Sequence, residues 1–165
     1  MVLVTGATGG LGRVVTRSFA SDGARLALTG TDEGRLRALA SDVGLPADRW
    51  VPVVVDLRDR DAARDALAAA EASLGGIDIV VHLVGGYTRG TPIAELDPAD
   101  VAGMLDQHLW TTLHVTQAVV PGMVERGWGR VLAVSPPIAS EPASSTPPCW
   151  TTAARAGTSP TSSRR

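Results

Sequence analysis

Residues 2–12 consist of the stretch Val-Leu-Val-Thr-Gly-Ala-Thr-Gly-Gly-Leu-Gly, a short β-branched run followed at once by spaced glycines. The run at 2–5 predicts a buried strand, and the apolar spacing at 11–21 predicts a helix. Glycine permits a positive φ in a tight turn and lets the backbone approach a phosphate without a Cβ in the way. A helix N-terminus adds free N–H groups and a partial positive charge. The stretch therefore predicts a nucleotide diphosphate site, although a tight strand-to-helix turn alone would also explain it.

The alternation of strand-like and helix-like segments continues as far as residue 134. The predicted strands are at 2–5, 25–29, 51–55, 78–81 and 130–134, and the predicted helices are at 11–21, 32–42, 59–74 and 98–126. Pro98 suits the first turn of the longest helix, and Gly127 suits its end. This alternation predicts an α/β fold with a Rossmann-like parallel sheet. Because such a sheet grows outward in both directions from its first strand, we expect the strand order 3-2-1-4-5.

The composition changes after residue 134. Residues 135–165 contain 18 Ser, Thr or Pro residues among 31. So little apolar surface cannot offset the entropy of ordering the chain. We therefore predict a dinucleotide-binding Rossmann-like domain at 1–134 and an irregular Ser/Thr/Pro-rich tail at 135–165.

Charge and cysteine content exclude several classes of protein. The net charge is −2, all 15 basic residues are Arg, and neither Lys nor Asn occurs. The basic residues are scattered among acids, which argues against a nucleic-acid partner. No apolar run approaches the roughly 20 residues needed to cross a bilayer, so we expect no membrane partner. With a single Cys and no signal peptide, the chain is expected in the cytoplasm, with no metal site because the three His do not cluster.

Several segments resemble the N-terminal half of the short-chain dehydrogenase/reductase family of NAD(P)-dependent oxidoreductases. Thr5-Gly6-x-x-x-Gly10-x-Gly12 matches the family's cofactor signature, and Asp56-Leu57 stands where the family has an acidic residue near the adenine. His82-Leu83-Val84-Gly85 resembles the Asn-Asn-Ala-Gly segment, of which only the glycine is kept. The resemblance implies cofactor binding by Thr5, Gly6, Thr8, Gly10, Leu11, Gly12, Thr31, Asp56, Leu57, Val84, Gly85 and Gly86. It also implies a small-molecule alcohol or carbonyl substrate.

The end of the second strand bears on the choice between NAD and NADP. A carboxylate there accepts hydrogen bonds from a ribose 2′-OH and repels a 2′-phosphate. Gly30 occupies that place, and Thr31 and Arg35 could contact a phosphate, which favours NADP while leaving NAD open. Alternatively, Gly30-Thr31-Asp32 is only the turn and N-cap of the next helix.

The family's catalytic residues are only partly represented. The resemblance implies a Tyr general acid/base, a Lys four residues later, a Ser that orients the carbonyl and often an Asn on the long helix. The Asn position falls on His108, the catalytic Ser position falls on Pro136, and the segment expected to hold Tyr-x-x-x-Lys contains Cys149 and Arg155. Ser135 is the remaining candidate for the catalytic Ser, and Tyr87 is the only tyrosine.

Three interpretations follow from these substitutions, of which the third is a globular remnant that binds nothing. The first is an oxidoreductase in a truncated or frameshifted, inactive form, because the family resemblance stops abruptly in a Lys-free sequence. The second is a non-catalytic dinucleotide-binding sensor or scaffold. On the first two interpretations Gly12→Val is predicted to abolish binding by placing a branched side chain against the diphosphate. The apolar strand at 130–134 is predicted to be an exposed edge that could form a homo-oligomer.

Overall fold

Five parallel strands form one sheet in the computed structural model, which describes residues 1–86 and 92–134. The strands are β1 (Val2–Thr5), β2 (Leu26–Gly30), β3 (Trp50–Val54), β4 (Ile79–His82) and β5 (Arg130–Ala133). Their order is β3-β2-β1-β4-β5, which confirms the predicted topology. The chain adds β2 and β3 on one side of β1 and then adds β4 and β5 on the other side. Ligands of open α/β sheets bind in the crevice where the order of strands reverses in this way, here between β1 and β4.

The helices cover both faces of this sheet. They are α1 (Gly10–Ser21), α2 (Glu33–Asp42), α3 (Arg60–Leu74), α4 (Pro98–Leu105) and α5 (Thr111–Glu125), with 3-10 turns at Ala47–Arg49 and Ile93–Glu95. The side chains of Asp32, Asp59 and Asp97 each accept a hydrogen bond from a backbone N–H in the first turn of α2, α3 and α4. These caps explain why the predicted starts of α2, α3 and α4 were correct to within one residue. Within the described residues, no helix combines the length and apolar character needed to span a bilayer.

The helix predicted from about 98 to 126 is helical throughout 98–125, but its middle departs from the α-helical repeat. Asp106–Trp110 forms a π-helical segment between α4 and α5. A π turn inserts one residue into the helical repeat and often occurs at functional sites. The predicted C-terminal end is close to the observed one, since Glu125 is the last residue of α5 and Gly127 has a φ of 71°.

Alternating strand residues supply two hydrophobic layers. Leu3 of β1 packs in the cluster that includes Leu67 of α3 and Val115 of α5. Its neighbours Val2 and Val4 pack in the second cluster, on the opposite face of the sheet, with residues of α1 and α2. Because β1 is buried on both faces, packing on both sides fixes the position of its carboxyl end, where the turn that begins at Gly6 starts.

The outer strand β5 remains predicted to drive self-association. Its four residues are exposed, and it pairs with β4 on one side. We expect the purified protein to elute as a species larger than a 17.0 kDa monomer. The oligomeric fraction should rise with protein concentration. Leu132→Arg should shift the equilibrium toward monomer, whereas Val14→Arg, at an exposed valine of α1, should not. Size-exclusion chromatography with light scattering measures this, and a monomer at every concentration up to tens of micromolar contradicts it.

Candidate functional site

The turn between β1 and α1 leaves the helix N-terminus open. Gly6 has a φ of 62°, a conformation that favours glycine, and its carbonyl accepts a hydrogen bond from Gly9 N–H at 3.0 Å. The N-cap residue Gly9 has no side chain to satisfy the first helical N–H groups, and the first turn has no acidic residue. These N–H groups, together with the helix dipole, are therefore available to an anion.

Two glycines of the first turn of α1 have opposite surroundings. A Cβ on Gly10 would meet nothing within 4 Å. A Cβ on Gly12 would lie 2.5 Å from the Ala7 carbonyl oxygen and nearer still to that of Gly6. The predicted reason for the effect of Gly12→Val is therefore wrong, because the new side chain would collide with the turn itself rather than with a diphosphate. Gly10 is the position whose side chain would enter open space at the helix N-terminus.

A cleft of about 740 Å³, here called the first lobe, opens above this turn. Its wall consists of the glycine turn, the residues after β4, the π segment and the end of β5. The residues are Gly6, Gly9, Gly10, Leu11, Gly12, His82, Leu83, Val84, Gly85, Gly86, His108, Thr112, Ala133 and Val134. The His108 imidazole packs closely on Gly85 and lies 2.7 Å by Nε2 from the Gly86 carbonyl oxygen, to which it donates.

A second lobe of about 370 Å³ lies over the ends of β2 and β3. It shares Gly6, Val84 and Gly85 with the first lobe, so the two meet beside the glycine turn. Its charged side chains in the described chain are Asp56 and Arg58, whose Arg58 Nη2 to Asp56 Oδ2 distance is 2.6 Å. The hydrogen bond from the Arg58 side chain holds the pKa of Asp56 below its usual range, and a backbone hydrogen bond adds to this. Asp56 is thus a stable carboxylate at the rim.

Eleven of the twelve predicted cofactor-binding residues border one of the two lobes. The first lobe has Gly6, Gly10, Leu11, Gly12, Val84, Gly85 and Gly86, and the second adds Thr8, Thr31, Asp56 and Leu57. Thr5 is the exception, because none of its surface is exposed. Its hydroxyl instead accepts from Leu83 N–H at 3.0 Å and lies 2.9 Å from His82 Nδ1, so Thr5 supports the wall from behind.

Several polar residues of the wall were missed by sequence reasoning. His82, the last residue of β4, lines the first lobe with only 5% of its surface exposed. Gln107, Thr111 and Arg58 also line the second lobe. The position of Gln107 and Thr111 depends on the π segment, which apolar spacing does not reveal.

The end of β2 fits the simpler of the two interpretations of Asp32. The Asp32 carboxylate accepts from Arg35 N–H at 3.0 Å and caps α2. Gly30 and Thr31 border the second lobe, and neither of them carries a carboxylate. A Cβ on Gly30 would lie 3.3 Å from a Leu36 methyl carbon. The cation beside Thr31 in this lobe is Arg58 rather than the predicted Arg35.

Some candidate catalytic positions fall elsewhere. Ser135, Cys149, Arg155 and Tyr87 lie outside the described residues. Of the His residues, His82 and His108 line the first lobe, whereas His114 Nδ1 donates to the Leu57 carbonyl at 3.0 Å. Across residues 1–86 and 92–134, no group of three His, Cys, Asp or Glu side chains could hold a metal ion.

The family model for short chain dehydrogenases matches residues 1–156. The chain belongs to this family. It is 34% identical over 142 residues to the NADP-dependent 3-hydroxy acid dehydrogenase YdfG of Escherichia coli K12, covering 86% of this chain and 56% of that protein. It is also 34% identical over 149 residues to a short chain dehydrogenase of Pseudocercospora fijiensis, covering 85% of this chain and 46% of the relative.

Solved structures of the family superpose well on this chain. The serine dehydrogenase of Escherichia coli has a TM-score of 0.78 at 33% identity, over 86% of this chain and 64% of that one. The closed form of serine dehydrogenase complexed with NADP+ has a TM-score of 0.77 at 31% identity, over 87% and 57%. The chain spans about half the length of the curated relatives it matches.

Proposed function

We propose that this chain is the dinucleotide-binding part of an NAD(P)-dependent oxidoreductase that acts on an alcohol or carbonyl compound. The observation that carries the proposal is the open space in front of Gly10 at the N-terminus of α1, beside the meeting point of the two lobes. A dinucleotide consists of two nucleosides joined by a diphosphate. A bipartite cleft with an anion-binding helix end at its centre matches that shape and charge.

The residues of the cleft fit such a cofactor. The first-turn N–H groups of α1 would hold the diphosphate, and the second lobe, with Asp56 and Thr31 on its wall, would hold the adenosine. The first lobe would hold the nicotinamide, which supplies hydride transfer when bound. The role of the described residues is to bind and orient the dinucleotide.

We propose NADP rather than NAD as the preferred cofactor. The carboxylate that would repel a 2′-phosphate is absent at the end of β2, since Gly30 stands there and Asp32 caps α2. The YdfG relative is named as NADP-dependent, and one serine dehydrogenase structure is named as an NADP+ complex. Calorimetric titration with NADP and NAD tests both points, and absence of binding by either at millimolar concentration contradicts the proposed function.

Arg58→Gln is expected to weaken NADP binding about three- to tenfold and NAD binding much less. The Arg58 guanidinium borders the same lobe as Thr31, and a charge-assisted hydrogen bond to phosphate contributes about 1.5–3 kcal/mol before solvent screening of an exposed side chain. Arg37→Gln is a matched control, because Arg37 is 62% exposed and ion-paired as Arg58 is, but lies on α2 outside both lobes. An equal loss of NADP and NAD affinity in Arg58→Gln would contradict the assignment.

A second candidate function is a non-catalytic dinucleotide-binding sensor or scaffold. The observation in its favour is that the sequence contains no Lys and no Tyr-x-x-x-Lys segment, while the glycine turn is kept. Sequencing the coding DNA and translating the other two frames after codon 135 separates the two candidates. A Tyr-x-x-x-Lys in another frame favours a frameshifted oxidoreductase.

A further inference from the structure

His82 connects two elements that meet at the first lobe. It is the last residue of β4, pairs with Thr5 of β1, and has 5% of its surface exposed. Its Nδ1 lies 2.9 Å from Thr5 Oγ1, and its Nε2 lies 3.3 Å from Thr111 Oγ1. Both threonines are buried as well. The imidazole therefore bridges β1 and the start of α5 through two hydroxyl groups.

The partners of the two hydroxyls determine which ring nitrogen carries the proton. Thr5 Oγ1 already accepts from Leu83 N–H at 3.0 Å, so its own proton is free to be donated to His82 Nδ1. Thr111 Oγ1 donates to the Gln107 carbonyl oxygen at 2.6 Å, so it accepts from His82 Nε2–H. Every donor in this network then has one acceptor, and the structure assigns the neutral Nε2–H tautomer.

A protonated imidazole does not fit the same network. Both ring nitrogens would then donate, and Thr5 Oγ1 would face one N–H from Leu83 and another from His82. The hydroxyl proton of Thr5 would have to find another acceptor at a site with no exposed surface. An unsatisfied buried polar group is costly, so protonation would loosen the link between the ends of β1 and β4.

The glycine turn depends on this link. Gly6 follows Thr5 directly, and a Cβ on Gly6 would lie 3.2 Å from both the carbonyl carbon and the carbonyl oxygen of Leu83. The backbone of the turn therefore packs on the backbone that follows β4. Leu83 N–H donates to Thr5 Oγ1. A shift of Thr5 would therefore move both Gly6, which follows it in the chain, and Leu83, against which Gly6 packs.

We propose that His82 is a positioning residue for dinucleotide binding. In its neutral Nε2–H tautomer, the His82 ring connects Thr5 to Thr111 and holds the glycine turn against the end of β4. The inference rests on the proposed function, because the turn is the part of the chain that would hold the diphosphate. Because a protonated His82 does not fit this network, dinucleotide binding becomes sensitive to pH.

The direction of that sensitivity follows from the surroundings of His82. Burial lowers the pKa of His82 below its ordinary 6.5, and His108 lowers it further. Thr5 and Ala133, its pairing partners on β1 and β5, are not ionisable, so among the described residues His108 is the titratable group facing it from the elements packed around it. The folded chain holds fewer protons on His82 than the unfolded chain, so the link is intact above pH 6.5 and is lost as the pH falls through the lowered pKa.

The first arm of the test needs no cofactor. ¹⁵N-labelled imidazole NMR of the free protein reports the tautomer of each His and its titration. We expect His82 to be the Nε2–H tautomer at pH 8 and to protonate below pH 6.5. An Nδ1–H tautomer, or titration at or above the ordinary value, overturns the inference.

The second arm measures NAD affinity from pH 8 to pH 5. NAD is the probe because it lacks the 2′-phosphate monoester, which would itself titrate near pH 6. We expect affinity to fall about three- to tenfold toward pH 5, the effect of losing about one buried hydrogen bond. Constant affinity, or tighter binding at low pH from attraction between an imidazolium and the diphosphate, overturns the inference. Absence of binding at pH 8 instead contradicts the proposed function, and the NMR arm still decides the state of His82.

Variants assign the pH dependence to this residue. His82→Asn keeps an acceptor near the Nδ1 position without titrating in this range, so it should bind NAD with a flat pH profile. His114→Asn removes an imidazole outside both lobes and should keep the wild-type profile. If His82→Asn does not fold, two variants of Thr5 replace it. Thr5→Ser keeps the hydroxyl group and should keep the pH dependence of NAD affinity, whereas Thr5→Val removes the hydroxyl group and should abolish that dependence. A profile flattened by His108→Asn but not by His82→Asn assigns the effect to His108 and overturns the inference.

Discussion

Gly10→Val is expected to lower NADP affinity at least about tenfold while leaving the fold intact. A branched side chain at Gly10 would occupy the open space in front of the first turn of α1 and keep the diphosphate from its N–H groups. Charge-assisted hydrogen bonds contribute about 1.5–3 kcal/mol each, so loss of one or two gives an effect of this size. Isothermal calorimetry measures the affinity, and thermal unfolding followed by circular dichroism measures the fold.

The matched control for this substitution is Gly103→Val. Gly103 is also a helical glycine whose Cβ would meet nothing within 4 Å, but it lies in α4 and borders neither lobe. Both substitutions place the same branched side chain in open space on a helix, and the side chain lies at the glycine turn in only one of them. Equal NADP affinity in both variants would show that the diphosphate does not lie at the glycine turn.

Gly12→Val distinguishes a binding glycine from a packing glycine. The new Cβ would collide with the backbone oxygens of Gly6 and Ala7, which cannot move aside as a flexible side chain could. Such overpacking costs about 1–3 kcal/mol and occasionally more, so the melting temperature should fall well below that of Gly10→Val. Gly12→Val melting at the wild-type temperature would contradict the close packing of α1 on the turn.

Sequence reasoning located the sheet because its signals are local. The β-branched runs, the aspartate caps of α2, α3 and α4 and the glycine turn each specify structure within a few residues. Strand order then follows from general topological rules for parallel sheets. Eleven predicted cofactor-binding residues border the cleft for the same reason, since the wall residues at the strand ends are placed by the strands.

The residues that were misplaced depend on contacts distant in sequence. Thr5 has the spacing of a signature residue, yet its role is set by His82 and Leu83, 77 and 78 residues further along the chain. The helical repeat around Asp106–Trp110 has no composition that marks a π turn, so the wall position of Thr111 was not predictable. The burial of His82 goes with hydrogen bonds to two buried hydroxyls, which the sequence pattern does not reveal.

The chain as printed is expected not to turn over an alcohol or carbonyl substrate at a rate typical of an oxidoreductase. Reduction of a carbonyl leaves an alkoxide, which needs a proton donor tuned toward neutral pH by a nearby cation. The sequence has no Lys, and its single Tyr is Tyr87. General acid/base catalysis contributes roughly 10²–10⁴-fold, and preorganised stabilisation of the developing alkoxide adds roughly 10²–10³-fold for each donor, so loss of both reduces the rate severely.

A nicotinamide absorbance assay against ketones, aldehydes and alcohols measures this rate, with the NADP-binding titration confirming that the cleft is loaded. Turnover above about one per second, within the usual range of enzymes, would contradict the expectation. The variants to make in that event are Ser135→Ala, Cys149→Ala and Tyr87→Phe, which remove a hydroxyl, a thiol and a phenol near the positions where the family resemblance places the chemistry. Binding without turnover, together with the loss of binding in Gly10→Val, would leave the cleft as a dinucleotide site whose proton donor is missing from this chain.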